Sequence, residues 1–333
     1  MATYLVAVAV GDYAALDEPT SNGVIIRHYV YPDRQEDGRA VFSYTGETLS
    51  ILADLFGPYP FDTYGHIVAP EAGMALETQT LTLMPDSVLD ATEEEMFALI
   101  AHELAHQSYG NTVTPATWAD IWLNEGFATY AEWLAEEQRY GFESAQASRT
   151  LAEQALLSDS RTTPLLLPAP AETFGTVTYK QGAWLLHMLR DEIGDDAFFE
   201  LLRRYVDTYR DRPAGSLDFW RMTEEVSGQD LSWFFDQWLL QGGMPRYTLY
   251  WSATTSGADV LLCGITPYRL DLPLRFVSAA GQPSTVILEI RDTTARASFP
   301  LDFAPADLSV DPAQAILAQV QVQPIAALPA ACP

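Results

Sequence analysis

The sequence predicts an α+β protein in two parts, a mainly helical domain over residues 1–243 and a small β-sandwich domain over 244–333. Three observations carry this expectation. Apolar residues recur at helical spacing through most of residues 40–241. At Gly242-Gly243-Met244-Pro245 that period stops, and strand-like alternation takes over. With 333 residues, 48% of them hydrophobic, the chain can bury one large core and one smaller core.

Residues 3–10 (Thr-Tyr-Leu-Val-Ala-Val-Ala-Val) read as a buried strand ending at Gly11-Asp12, and Gly23 to Tyr31 as a second strand closed by Pro32-Asp33. Phe42, Leu49, Leu52 and Phe56 mark a helix over 40–56 that stops at Gly57-Pro58. Tyr64 to Pro70 looks like another strand. His28 and His66 fall in these strands and are read as structural. The second half of residues 71–84 alternates in strand fashion, and Gly73 permits close backbone approach. As an edge strand, this stretch can hold an extended peptide by main-chain hydrogen bonds. Glu77, among small and apolar neighbours, can pair with a substrate amine; an ordinary solvated glutamate is the alternative.

Thr92-Glu93-Glu94-Glu95 is a capping box ahead of an apolar run, and starts a helix over 93–109. The three acids also suit the positive end of the helix dipole. His102 and His106 lie four apart on this helix, one turn up the same face, and can bind one metal ion. Glu103 can reach a water on that ion without being a ligand. A catalytic zinc needs three protein ligands and one open position. Glu125 is the candidate third ligand, with eighteen residues between it and His106. It lies in the mostly apolar segment from Trp118, where an unpaired carboxylate is costly to bury and a metal removes that cost. The pattern points to hydrolysis of peptide bonds.

The helix carrying Glu125 runs from about Thr117 to Tyr140 and ends at Gly141. Asp120, and Asn124 beside Glu125, are placed behind the ligands, where such sites hold the residues that orient a metal-bound histidine. A helix-capping role for Asp120 is the alternative. Residues 143–158 form a further helix and 162–170 a proline-bearing loop. Val177 opens the next helix, with Tyr179 near its start, where a phenol can point into a cleft or simply pack. Three more helices follow over 195–209, 216–227 and 230–241, with Trp220, Trp233, Phe234, Phe235 and Trp238 as core. Strands are then expected around 247–252, 260–263, 272–277 and 285–290.

The formal net charge is −27, and Lys180 is the only lysine. Such a surface repels nucleic acid and anionic membranes, so neither is an expected partner. It can draw cationic peptides, or serve only to keep the chain soluble. No apolar run is long enough to span a bilayer. No basic region followed by an apolar run marks a signal peptide, so a cytoplasmic location is the default, with extracellular and envelope locations open. Cys263 and Cys332 leave two readings: one disulfide within the C-terminal part, or two free thiols.

The order and spacing of five words resemble the gluzincin metallopeptidases, and in particular the aminopeptidase N and leukotriene-hydrolase family. They are Gly73-Met74-Ala75-Leu76-Glu77-Thr78-Gln79, His102-Glu103-Leu104-Ala105-His106-Gln107, Gly110-Asn111, Trp122-Leu123-Asn124-Glu125-Gly126-Phe127-Ala128 and Tyr179-x-x-Gly182-Ala183. The resemblance covers nearly the whole chain. It implies a thermolysin-like catalytic domain to about residue 243, followed by the small β-sandwich. It implies one Zn2+ on His102, His106 and Glu125, with Glu103 as general base and Tyr179 stabilising the oxyanion. Glu77, with the backbone of Gly73, Met74 and Ala75, would bind peptide substrates with a free N-terminus. The sequence departs from the family in having one extra residue before Glu77 and Gln181 where a lysine is usual. On the same comparison, residues 1–31 include the last strand of an N-terminal β domain that the chain lacks. The face so left is a candidate for self-association, and the chain is expected to be a minimal form or a fragment. Two other readings are a peptide-binding or assembly module with a structural zinc, and an oligopeptide hydrolase without an amine requirement.

Overall fold

The computed structural model describes residues 3–70, 73–159, 163–166, 168 and 170–333. The chain divides into two compact units, residues 1–231 and 232–333. Helices and strands occur in both, in keeping with the α+β class.

The first unit begins with a mixed sheet. β1 (Ala14–Ser21) and β2 (Val24–Val30) form an antiparallel hairpin, and its turn residues Asn22 and Gly23 have φ of 51° and 83°. A type I′ hairpin turn requires positive φ at both central positions, and Asn-Gly adopts it with least strain. β3 (Thr63–Tyr64) and β4 (His66–Ala69) lie parallel to β2. β5 (Thr82–Pro85) lies parallel to β4 at the end of the sheet. Along β2, Val24, Ile26, His28 and Val30 are buried, while Ile25 and Arg27 face solvent. The buried rings of His28 and His66 stack 5.0 Å apart, and both stack on Phe42. His28 Nδ1 accepts the backbone N–H of His66 at 3.2 Å, and His28 Nε2 lies 2.8 Å from Glu18 Oε1. Both histidines are therefore structural, as expected.

Residues 3–10 do not form the strand that their alternation predicts. Only Thr3–Leu5 is regular, as one 3-10 turn, and Val6, Val8 and Val10 are 62%, 85% and 91% exposed. A strand is held by a paired neighbour, and β2 takes Ala14–Ser21 instead. The helix expected over 40–56 is also divided, into α1 (Gln35–Phe42) and α2 (Thr45–Phe56). At the break, Ser43 and Thr45 donate their hydroxyls to the carbonyls of Ala40 and Phe42, the local competition that interrupts helices.

The remaining helices of this unit follow the sequence closely. They are α3 (Glu93–Ala105), α4 (Trp122–Tyr140), α5 (Phe142–Ser158), α6 (Gly182–Ile193), α7 (Asp195–Tyr209) and α8 (Ser216–Ser227), and two short strands between them, β6 (Val113–Pro115) and β7 (Arg212–Ala214), pair in parallel. α4 is the axis. It is buried almost continuously from Trp122 to Ala135 and packs against α3, α5 and α6. Its Trp122 and Phe127 join Tyr109, Tyr205 and Phe219 in an aromatic core. The expected loop at 162–170 lies outside the described residues at 162, 167 and 169, as do Glu71 and Ala72.

The second unit opens with a short helix, α9 (Ser232–Phe235), which passes into a π-helical turn over Asp236–Leu240. Its strands form two sheets. One contains β8 (Arg246–Thr254), β9 (Gly257–Gly264), β12 (Thr294–Pro300) and β14 (Gln319–Pro324), in the order β12-β9-β8-β14. The other contains β10 (Leu270–Ser278), β11 (Pro283–Ile290) and β13 (Pro305–Val310), in the order β11-β10-β13. Trp251 and Phe276 meet between the sheets at 5.9 Å. Cys263 on β9 is disulfide-bonded to Cys332, which decides between the two readings left open by the sequence.

Candidate metal centre

Thr92 begins α3 with a complete capping box: its Oγ1 accepts the N–H of Glu95 at 3.3 Å, and Glu95 Oε2 accepts the N–H of Thr92 at 2.9 Å. The helix so started carries His102 in its last turn and ends at His106. Gly126 on α4 packs so tightly on Gly182 of α6 that a Cβ on Gly126 would lie 2.8 Å from the Gly182 Cα. That backbone contact brings Glu125 and the turn just before α6 to the end of α3.

His102, His106 and Glu125 meet there. Their potential ligand atoms all lie within 4.8 Å of one another, and Glu125 Oε2 is 3.5 Å from each histidine Nε2. Each imidazole has its other nitrogen bonded away from this point. His102 Nδ1 donates to Glu132 Oε1 at 2.6 Å, and His106 Nδ1 donates to the carbonyl of Tyr109 at 3.2 Å. The Nε2 lone pairs are thereby presented inward, as a metal requires. Two imidazole nitrogens and one carboxylate oxygen form a donor set suited to zinc with a position left for water.

The electrostatics of the protein alone agree with a site built for a cation. Burial pushes Glu125 up, but the His106 and His102 imidazoles outweigh it and hold the carboxyl at about 2. Burial opposes charge on His106, yet Glu77 and Glu125 raise it to about 9. Burial likewise opposes charge on His102, and hydrogen bonds to Glu125 and Glu132 raise it well above the ordinary value. Glu103 behaves differently. Burial pushes its carboxyl up to about 7 against the pull of both histidines, and its Oε2 is buried without a hydrogen-bond partner. A carboxyl poised near neutrality and free to bond is suited to proton transfer.

Tyr179 lies in a π-helical turn, Val177–Gln181, directly before α6. Its ring stacks 6.1 Å from that of His102, and its hydroxyl lies within the field of the Glu125 carboxylate. Burial and the Glu125 charge raise its pKa, so it stays a phenol and a donor.

Glu77 is buried, and its charge acts on both His106 and Glu103. Leu76 exchanges two backbone hydrogen bonds of 2.9 Å with Leu83, so the segment ahead of Glu77 doubles back along β5. The expected strand is therefore only Thr82–Pro85 plus this bridge. Ahead of it, Gly73 has a φ of 62°, Met74 is 70% exposed and Ala75 is partly buried.

Asp120 bonds to neither histidine, and ties the start of α8 to this segment instead. Its Oδ1 accepts the N–H and Oγ of Ser216 at 2.8 and 2.7 Å, and its Oδ2 accepts from Thr117 at 2.8 Å. Buried Asn124 donates to the Tyr4 hydroxyl at 3.4 Å. The residue that orients His102 is Glu132, which sequence reasoning missed. The available signal was its place seven residues after Glu125, on the same face of α4.

Comparison with known proteins bears on this site. A family model described as the peptidase family M1 domain matches residues 41–238. Glutamyl aminopeptidase of Rattus norvegicus is 30% identical over 274 residues, covering 75% of this chain and 28% of the relative. Aminopeptidase N of Oryctolagus cuniculus is 31% identical over 296 residues, covering 77% and 30%. Aminopeptidase M1 of Arabidopsis thaliana is 29% identical over 267 residues, covering 74% and 30%. The matched part of the chain thus spans under a third of the length of these relatives. Among the described residues, no helix is long and apolar enough to cross a membrane.

Proposed function

The chain belongs to peptidase family M1, and on that premise we propose that it is the catalytic part of a zinc-dependent aminopeptidase. The observation that carries this reading is the meeting of His102, His106 and Glu125 beside a buried, unpartnered Glu103 oxygen. The relatives' names, all aminopeptidases, support it.

His102, His106 and Glu125 would hold a zinc ion, which would supply Lewis acidity toward the scissile carbonyl and a water of lowered pKa. Glu103 takes the proton of the attacking water on its free oxygen and returns it to the leaving amine. Tyr179 donates its hydroxyl to the carbonyl oxygen as negative charge builds there. The loss of one such donor lowers turnover about a hundred- to a thousand-fold. Glu77, with Glu125, holds the free amino terminus, so that only the first peptide bond reaches the metal.

The test is hydrolysis of a panel of aminoacyl fluorogenic amides, each free and N-acetylated, by the zinc-loaded protein. Cleavage of the free-amine forms alone is expected. Glu103→Ala should abolish it with zinc still bound, and Tyr179→Phe should lower turnover far more than affinity. Loss of zinc from Glu103→Ala, or normal turnover in Tyr179→Phe, would remove those residues from their assigned roles. Equal cleavage of acetylated substrates would leave the zinc chemistry and overturn the amine requirement.

A further inference from the structure

Two buried side-chain amides connect the end of α3 to the Glu77 segment. Gln107 is fully buried; its Oε1 accepts the N–H of Thr80 at 2.8 Å, and its Nε2 donates to the Thr78 carbonyl at 3.5 Å. Asn111 is 2% exposed, and its Nδ2 donates to the carbonyl of Glu77 itself at 2.7 Å. The turn held by Gln107 is not a relaxed one. Thr80 has a φ of 66°, a region that β-branched residues avoid unless their surroundings enforce it.

Both amides are fixed at their own bases. Gln107 follows His106 directly, and its carbonyl accepts the N–H and Oγ1 of Thr112 at 3.1 and 2.8 Å. The backbone N–H of Asn111 donates to the carbonyl of His106 at 2.9 Å. On its other side, the Glu77 segment is bonded to β5 through Leu76 and Leu83. A short chain of buried hydrogen bonds therefore joins His106 to the backbone of Glu77.

We propose that Gln107 and Asn111 are positioning residues that set the ruler of an exopeptidase. They fix the backbone of Glu77 relative to the end of α3, and so restrict substrates to peptides whose free amine and first carbonyl match the spacing between Glu77 and the His102, His106 and Glu125 cluster. The inference rests on the reading of Glu77 as the amine anchor. Neither amide touches the reacting atoms; each acts through Glu77. Freedom gained by Glu77 weakens the preference for a free amine before it affects metal binding, because the bonds that orient His102 and His106 run to Glu132 and Tyr109 instead.

The experiment compares the wild type with Asn111→Ala, Gln107→Met, Glu77→Gln and the double variant Asn111→Ala/Glu77→Gln. Zinc content and thermal midpoint are recorded for each. The preference for free over N-acetylated amides is read from kcat/KM, and independently from Kd for a dipeptide and its acetylated form by calorimetry. Both staple variants should keep zinc and lose at least tenfold of the preference, with KM for free-amine substrates rising more than kcat falls. On the Glu77→Gln background, Asn111→Ala should cost no further preference, because the amide acts only through the anchor. If Asn111→Ala fails to fold, Gln107→Met carries the same test through the other staple. Retained preference in both staple variants, or additive losses of Asn111 and Glu77, would overturn the ruler alone. A wild type that handles free and blocked substrates alike would overturn the Glu77 reading, and the ruler with it.

Discussion

Glu132 lies two helical turns beyond Glu125 on α4 and accepts the Nδ1–H of His102 at 2.6 Å. A carboxylate in that position fixes the tautomer of the ring and raises its basicity toward a metal. Glu132→Gln should therefore weaken zinc about ten- to a hundred-fold, measured by chelator competition. Asp120→Asn should leave zinc affinity unchanged and lower the melting temperature, because Asp120 holds the start of α8 through Ser216. The opposite pattern would reverse the two assignments. The same pair explains what a sequence can tell of such a site. His102, His106, Glu103 and Glu125 stand at spacings that few other arrangements require, so they are legible. An orienting acid needs only to be an acid at the right place on a helix face, and α4 offers several. Asp120 lies nearer to the ligands in sequence, and Glu132 lies nearer in space.

At the scale of elements, the site depends on the crossing of α4 and α6. Gly126 and Gly182 let the two backbones touch, and the π-helical turn before Gly182 stacks Tyr179 on the ring of His102. Gly126→Ala forces an overpacked contact that typically costs about 1–3 kcal/mol. It should shift Tyr179 from its place over the His102 ring, so turnover should fall while zinc binding survives; unchanged turnover would show that the contact does not set the position of Tyr179. The sheet carries a different sensitivity. His66 is buried against His28, and burial and that neighbour hold its pKa well below the ordinary value. The unfolded chain binds a proton there at about pH 6.5 and the folded chain does not. Stability from this group is thus intact above that pH and falls as the pH drops, by about 1.4 kcal/mol per unit. His66→Asn should flatten the slope by that amount in denaturant titrations between pH 6.5 and 5; an unchanged slope would mean that His66 does not titrate differently on folding. The helices were legible because their apolar stripes are long. The first strand was not. Val6, Val8 and Val10 alternate like a strand but have no strand partner among the described residues, while Ala14–Ser21, with the single buried aliphatic Leu16, pairs along β2. The turn Asn22-Gly23 was the better signal, since it demands a strand on both sides.

At the scale of the whole molecule, the two units are stabilised by different means. The first buries a continuous aromatic and aliphatic core around α4. The second has thin sheets: β11 buries only Leu288 and Ile290, and β12 buries no residue fully. The strands β8 to β11 carry enough alternation to be read from sequence, whereas β12, with Thr294-Ala295-Arg296-Ala297, does not. A unit of this kind gains most from a covalent tie. The Cys263–Cys332 disulfide closes a separation of 69 residues and joins the end of the chain to β9. By loop-closure entropy such a bond contributes about 4 kcal/mol, of the kind that persists in oxidising surroundings. Calorimetry of the Cys263→Ser/Cys332→Ser protein, against the wild type with and without reductant, should show a lowered transition for residues 232–333. Zinc content and turnover should hold at temperatures below that transition, because every residue assigned to the site lies in residues 1–231. Reduction that instead abolished zinc binding at low temperature would mean that the metal centre depends on the second unit.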